Sequence, residues 1–236
     1  MRPRPNVTYD AAVVGENGTA LVLQGISKRW RGSDAPVLAG IDLTIDAGTA
    51  VHIGGPNGSG KTTLLRVAAG IIRPEEGRVR LGSLDVETDR AAFHRQIGFL
   101  SAASTGLYAR LTVRDHVRLW SRLGFVRRSR RAASCERVVD AFDLRPLERR
   151  RVDRLSMGQR QRVRLAGAFV HDPRVVLLDE PGNSLDEHGL ELLAVEVHRL
   201  CREGGAAVWC SPVAGHRDTP QFDRWLTLST GRLVES

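Results

Sequence analysis

The sequence predicts an α/β domain built on a mostly parallel sheet. Three observations predict it. Short apolar runs alternate with helical stretches along the chain, as parallel-sheet domains require. A glycine-rich loop stands between a strand pattern and a helix pattern. The run Val175-Val176-Leu177-Leu178, bounded by Pro173 and Pro181, suits a strand buried on both faces. With 236 residues, 42% of them hydrophobic, the chain can bury one large core, and two full domains would be tight.

Taken in order, residues 1–20 read as a flexible, Pro- and Gly-containing lead, and residues 21–236 as the domain. Leu21-Val22-Leu23 opens a strand. Ile41-Asp42-Leu43-Thr44-Ile45 alternates with period 2, the mark of a half-buried strand. Val51-His52-Ile53 is a short apolar strand, and Thr62 to Ala69 a helix closed by Gly70. Gly77 to Leu81 predicts an edge strand. From about Ala91 the pattern turns helical and basic, giving an inserted helical subdomain over roughly 91–160 that also holds the strand Ile97-Gly98-Phe99-Leu100. Ser156 caps a helix that stops before Asp172-Pro173. Glu187 to Glu203 reads as a helix stopped by Gly204-Gly205, and Ala206–Cys210 and Trp225–Leu228 as further strands.

The loop Gly55-Pro56-Asn57-Gly58-Ser59-Gly60-Lys61-Thr62 fits the phosphate-loop pattern at every fixed position, with Thr63 following. Glycines let such a loop curl and aim its N–H groups at a phosphate, and the helix behind it adds a positive end. Lys61 is placed to reach the β- and γ-phosphates, and Thr62 to offer its hydroxyl to Mg²⁺. Asp179 and Glu180 end the buried strand. In a P-loop NTPase, an Asp there holds Mg²⁺ and a Glu orients or deprotonates the attacking water. Alone, an Asp-Glu pair would be a solvated turn; beside a phosphate loop the chemical reading prevails.

Leu155-Ser156-Met157-Gly158-Gln159 resembles the Leu-Ser-Gly-Gly-Gln signature of ABC ATPases, with Met157 in place of the first glycine. Asn183-Ser184-Leu185-Asp186 resembles the D-loop, and Asp46-Ala47-Gly48 and Gly231-Arg232-Leu233 also match; the resemblance covers roughly residues 21–235. The stretch Leu107-Tyr108-Ala109-Arg110-Leu111-Thr112-Val113 resembles that of exporter-type bacterial ABC subunits. The resemblance implies a P-loop NTPase fold with a small antiparallel β-subdomain. It implies two such domains, as a homodimer or heterodimer, closing head to tail on two ATP molecules. Each ATP would lie on one chain's phosphate loop and under the other's signature. It implies adenine stacking on Trp30, for which a packing role is the alternative. It further implies a separate transmembrane permease, with this chain at the cytoplasmic face of the membrane.

Two departures stand out. Where the family carries a glutamine after Ile97–Leu100, this chain has Ser101-Ala102-Ala103-Ser104. Where the family carries a histidine after Ala206–Cys210, it has Ser211-Pro212, with His216 four residues on as a substitute to be tested. Lost γ-phosphate contacts weaken transition-state stabilisation. The expectation is therefore intact ATP binding with slow hydrolysis.

The net charge is +8, nearly all of the basic residues being arginine. Arg127-Arg128-Ser129-Arg130-Arg131 and Arg149-Arg150-Arg151 suit a solvated face or contact with anionic lipid headgroups. Nucleic acid is the weaker partner, for no nucleic-acid module is recognisable. A soluble ABC ATPase acting on ribosome or DNA is the alternative function. The single phosphate loop and the lack of a long heptad run count against it. No apolar run approaches the ~20 residues a membrane span needs. The three cysteines form no C-x-x-C pair and read as buried reduced thiols.

Overall fold

The computed structural model describes residues 18–32, 34–103, 106–212 and 221–235. Its first half runs β1 (Thr19–Lys28), β2 (Leu38–Asp46), β3 (Ala50–Gly54), α1 (Lys61–Ala68), β4 (Glu76–Leu81), β5 (Leu84–Asp85), α2 (Arg90–Arg95) and β6 (Ile97–Leu100). Then come α3 (Val113–Leu123), α4 (Arg131–Ala141), α5 (Met157–Phe169), β7 (Val175–Asp179), α6 (Glu187–Arg202), β8 (Ala206–Cys210), β9 (Arg224–Ser229) and β10 (Arg232–Glu235). The lead read over 1–20 lies outside the described residues up to residue 17; β1 is already under way at Thr19.

The strands form two sheets. One is antiparallel, in the order β2-β1-β4-β5. The other runs β10-β9-β3-β8-β7-β6, parallel throughout except where β10 turns back on β9. The expected α/β class, mostly parallel sheet and small antiparallel sheet are all present. In β2 the residues from Ile41 alternate buried and exposed as the period predicts. β3, β7 and β8 are buried at all five positions, which explains the unbroken apolar runs of β7 and β8 up to their last residues.

Two apolar cores flank the parallel sheet. One lies between the sheets around α1, with Leu21, Ile45, Ile53, Leu64 and Leu177. The other lies under α3–α6, with Val117, Val138, Phe142, Phe169, Leu178 and Leu193.

Two details differ from the sequence reading. Gly77–Leu81 is not the sheet edge: the two-residue β5 pairs outside it, Arg80 with Asp85 and Leu81 with Leu84. A strand that short has no periodicity to read. Within the helical stretch 91–160, α2 and β6 pack into the sheet layers. Phe93 sits in the first core, and Ile97–Leu100 pairs in parallel with Val175–Leu178. The helical group proper begins at α3, which Thr112 caps by accepting from the Asp115 N–H.

Candidate functional site

β3 delivers its chain end into the loop that α1 closes. At Gly55 (φ 141°) a Cβ would stand 2.3 Å from the Leu228 carbonyl oxygen, so only glycine fits between β9 and the loop. Lys61 opens α1 with Gly60 as its cap residue. Lys61 is 5% exposed, and its ammonium donates to the Gly55 oxygen at 2.7 Å and the Pro56 oxygen at 2.9 Å. The hydroxyl of Ser59 is buried without a hydrogen-bond partner. A buried hydroxyl of that kind normally finds a partner, and among the described residues this one has none.

β7 brings the acidic pair to the same place. Asp179, 1% exposed, accepts from the Thr62 hydroxyl at 3.0 Å and from the Ala102 N–H at 3.3 Å. A buried carboxylate beside a hydroxyl is a hard oxygen donor set of the kind that suits Mg²⁺. Beside it, at the paired position of β8, lies the buried Cys210 thiol. Burial first, and then the neighbouring carboxylates, push it well above its ordinary pKa. Cys201 is raised by burial to about 11. Both are inert thiols, and Cys135, half-buried, is also unpaired.

Glu180 has φ 49°, a left-handed conformation rare for a residue with a side chain. Its N–H donates to the Cys210 oxygen at 2.9 Å, and its carboxylate accepts from Asn183 at 2.6 Å. The turn after β7 thus fixes the position of Glu180 relative to Asp179.

Leu155, Ser156, Met157, Gly158 and Gln159 form the start of α5. Ser156 caps it reciprocally: its hydroxyl accepts from the Gln159 N–H at 3.2 Å, and the Gln159 side chain accepts from the Ser156 N–H at 3.1 Å. Leu155 is buried, whereas Met157 is 66% exposed. A Cβ on Gly158 would lie 2.8 Å from the Ser184 oxygen, so this glycine lets the turn after β7 touch α5. That turn holds Ser184 at φ 66° and ends at Leu185 and Asp186, the latter capping α6 by accepting from Gly189 at 2.8 Å. The segment Leu155–Asp186 is therefore one connected unit.

A family model described as ABC transporter matches residues 38–183. The protein named "Probable multidrug ABC transporter ATP-binding protein YbhF" of Escherichia coli (strain K12) is 35% identical over 193 residues, covering 82% of this chain and 33% of that one. The ABC transporter ATP-binding protein NatA of Bacillus subtilis (strain 168) is 33% identical over 195 residues, covering 82% and 79%. The chain belongs to the ABC transporter family. It spans about a third of the length of YbhF and about four fifths of NatA. A solved dimeric ATP-binding cassette in a post-hydrolysis state, bound to ADP and Pi, shares the fold: its TM-score is 0.78 at 24% identity, covering 91% of this chain and 98% of that one.

Among ABC ATPase features, the adenine candidate Trp30 is 45% exposed, with the Lys28 ammonium 5.4 Å from its ring centre. It is not a core residue. Its loop closes through Val37 N–H to the Lys28 oxygen, and Val37 lies against Gly60, beside the phosphate loop. After β6 the chain continues through Ser101, Ala102 and Ala103; Ser104 and His216 lie outside the described residues.

Sequence reasoning missed two residues here. Arg164 on α5 donates to the carbonyl oxygens of Ser101 and Ala103, and to the Gln161 side chain at 2.7 Å. Gln161 in turn donates to the Pro181 oxygen at 2.9 Å. One side-chain relay thus joins α5, the segment after β6 and the turn after β7. Arg164→Met is expected to leave both loop carbonyls without their donor and to lower unfolding free energy by about 1–3 kcal/mol, measured by urea denaturation.

His52 is the other. It is buried on β3, its Nε2 is 2.8 Å from the Ser211 hydroxyl, and its ring packs against Trp225 and Phe222. Burial lowers its pKa to about 4. His116 and His171 are also lowered, in both cases chiefly by burial. His116 Nε2 accepts from the Tyr108 N–H at 2.8 Å, which only an unprotonated Nε2 can do.

The unfolded chain, with histidines near 6.5, therefore binds more protons in acid than the folded chain. Stability is fully present above about pH 6.5 and is lost as pH falls towards 4, His52 alone contributing up to about 3 kcal/mol of that loss. Urea midpoints at about pH 7 and about pH 5 check this, the lower pH giving the lower midpoint.

Proposed function

We propose that this chain is the ATP-hydrolysing motor subunit of an ABC transporter. The observation that carries the reading is the meeting of Lys61, Thr62 and Asp179 at the ends of β3 and β7, with Glu180 next in line. Gly55, Pro56, Asn57, Gly58, Ser59, Gly60, Lys61, Thr62 and Thr63 cradle the nucleotide's phosphates. The unmet Ser59 hydroxyl and the Lys61 ammonium supply donors to them. Trp30 offers its exposed ring to the adenine. Thr62 and Asp179 would hold Mg²⁺, which when bound neutralises charge on the phosphate oxygens. Glu180 orients the attacking water and takes its proton.

Ser156, Met157, Gly158 and Gln159 serve a second chain's ATP. The α5 N-terminus presents N–H groups and a hydroxyl, and the dimeric relative bound to ADP and Pi supports that pairing. Ser184, Leu185 and Asp186 link this end of α5 to the Asp179–Glu180 strand, so closure of the dimer acts on the hydrolytic groups. With Ser101 and Pro212 in the glutamine and histidine places, hydrolysis is slow relative to fully equipped relatives.

A cavity of about 250 Å³ lined by Phe99, Ser101, Gly106, Trp120 and Arg164 lies between β6 and the helical group. It is where a permease element would dock. No helix of the described residues is long and apolar enough to cross a membrane. The reading thus places the chain peripherally, at the cytoplasmic face, through a separate permease. We read the direction as export from the likeness of residues 107–113 to exporter-type bacterial subunits.

The test is co-purification from membranes. The expected result is a companion chain with several membrane spans, and ATP turnover that rises when the two are together. Recovery with ribosomes instead, and no membrane companion, would overturn the reading.

A further inference from the structure

We propose that the helical group bears a docking surface for anionic phospholipid headgroups, formed by Arg118, Arg122, Arg127 and Arg128 around the exposed side chains of Leu123 and Phe125. The proposal rests on the motor-subunit reading only for where the surface works, beside a permease at the membrane.

The first argument is where the charge lies. Residues 106–154 contain fourteen arginines against six carboxylates, a surplus of eight. That surplus equals the +8 of the whole chain, so the rest of the sequence is electrically balanced. Arg114, Arg118 and Arg122 recur at every fourth position of α3 and so share one face. Arg114 is held by Glu148 at 3.0 Å, whereas Arg118 and Arg122 stand exposed. Asp115 is engaged with Thr112 at the other end of α3. The helix closes at Gly124, where the Phe125 N–H donates to the Arg122 oxygen at 3.1 Å and the Val126 N–H to the Ser121 oxygen at 3.0 Å. This tight closure sets the exposed Arg127 and Arg128 next to the arginine face of α3.

The second argument is what stands among these guanidiniums. Leu123 is 64% exposed and Phe125 68%. Phe125 has φ 56°, a left-handed conformation that a bulky residue avoids, yet its ring gains no burial. The Arg95 guanidinium lies 5.0 Å from the ring centre, adding one more cation to the patch.

Arginines interleaved with unburied apolar side chains fit a partner that is anionic at its surface and apolar just below. A phosphate backbone would satisfy the arginines and leave Leu123 in water. An acidic protein segment offers no apolar layer at that depth.

The test is sedimentation of the full chain with vesicles of phosphatidylcholine alone or mixed with phosphatidylserine. Binding is expected only to the mixed vesicles, released by raised salt. Each arginine removed lowers the partition roughly fivefold, so R118E/R122E lowers it at least about twentyfold. R78E/R80E changes the net charge equally, on the exposed side of β4, and is expected to leave the partition within about twofold. Phe125→Asn, a residue that tolerates φ 56°, is expected to keep or raise the melting temperature while lowering the partition. A purely structural Phe125 would give the opposite pair.

Equal sedimentation with both kinds of vesicle overturns the proposal. So does an equal loss in R78E/R80E, or retention by short duplex DNA at a salt concentration that frees the chain from vesicles. All variants are expected to bind ATP like the wild type. A wild-type chain that binds mixed vesicles but takes up no ATP supports this surface and removes the motor reading.

Discussion

Replacing Glu180 by glutamine is expected to lower ATP turnover by about 10²–10⁴-fold while leaving ATP affinity within about threefold. The expectation follows from how the residue is held. The turn after β7 bends so sharply that Glu180 takes φ 49°, and its N–H is fixed on the Cys210 oxygen of β8. Glutamine has the same size and can keep the contact with Asn183, so the turn and Asp179 remain as they are. What it lacks is the carboxylate that takes a proton from water. Phosphate release gives turnover, and equilibrium binding gives affinity. In the presence of ATP the variant is also expected to accumulate as a dimer on gel filtration, because hydrolysis no longer reopens it. A variant turning over at the wild-type rate would remove Glu180 from the chemistry.

Replacing Lys61 by alanine is expected to act at the preceding step and weaken ATP binding by about 10²-fold or more, since one buried charged donor to phosphate is lost. The ammonium is almost wholly enclosed and shared between the Gly55 and Pro56 oxygens. The substitution removes both the charge and the brace of the loop. Far-ultraviolet circular dichroism separates the two effects: the spectrum is expected to stay native, since alanine keeps the α1 helix and the apolar side chains of both cores are unchanged. Full-strength binding by the alanine variant would mean that phosphate is held elsewhere.

Much of the fold was legible because its central strands carry unmixed signals. β7 is four aliphatic residues closed by Asp179, with Glu180 next, and β2 alternates cleanly from Ile41. The phosphate loop, the acidic pair and the Ser156 cap were legible for the same reason: each is local in sequence and chemically particular, whereas the reciprocal bond from Gln159 came with the structure. What was not legible depends on neighbours far apart along the chain. β5 is two residues long and exists only because β4 offers it partners. Arg164 looks like one more arginine in a basic stretch until the fold sets Ser101 and Ala103 against it. His52 reads as an ordinary member of an apolar strand until β8 places Ser211 beside its ring. Trp30 could be read in the sequence as either a packing residue or a platform, and its 45% exposure belongs to the folded chain.

The arginine-rich stretch shows the same division. Its charge could be counted in the sequence, but the helical spacing of Arg114, Arg118 and Arg122, and the turn that brings Phe125 out beside them, belong to the folded chain.

The most direct test of the account is a calorimetric titration of the wild-type chain with ATP, in Mg²⁺ and again in excess chelator. Saturable uptake of one nucleotide per chain, weakened by the chelator and competed by ADP, is the predicted result. No saturation at millimolar Mg-ATP would contradict the assignment of Lys61, Thr62 and Asp179 as a triphosphate site, and the motor function built on it.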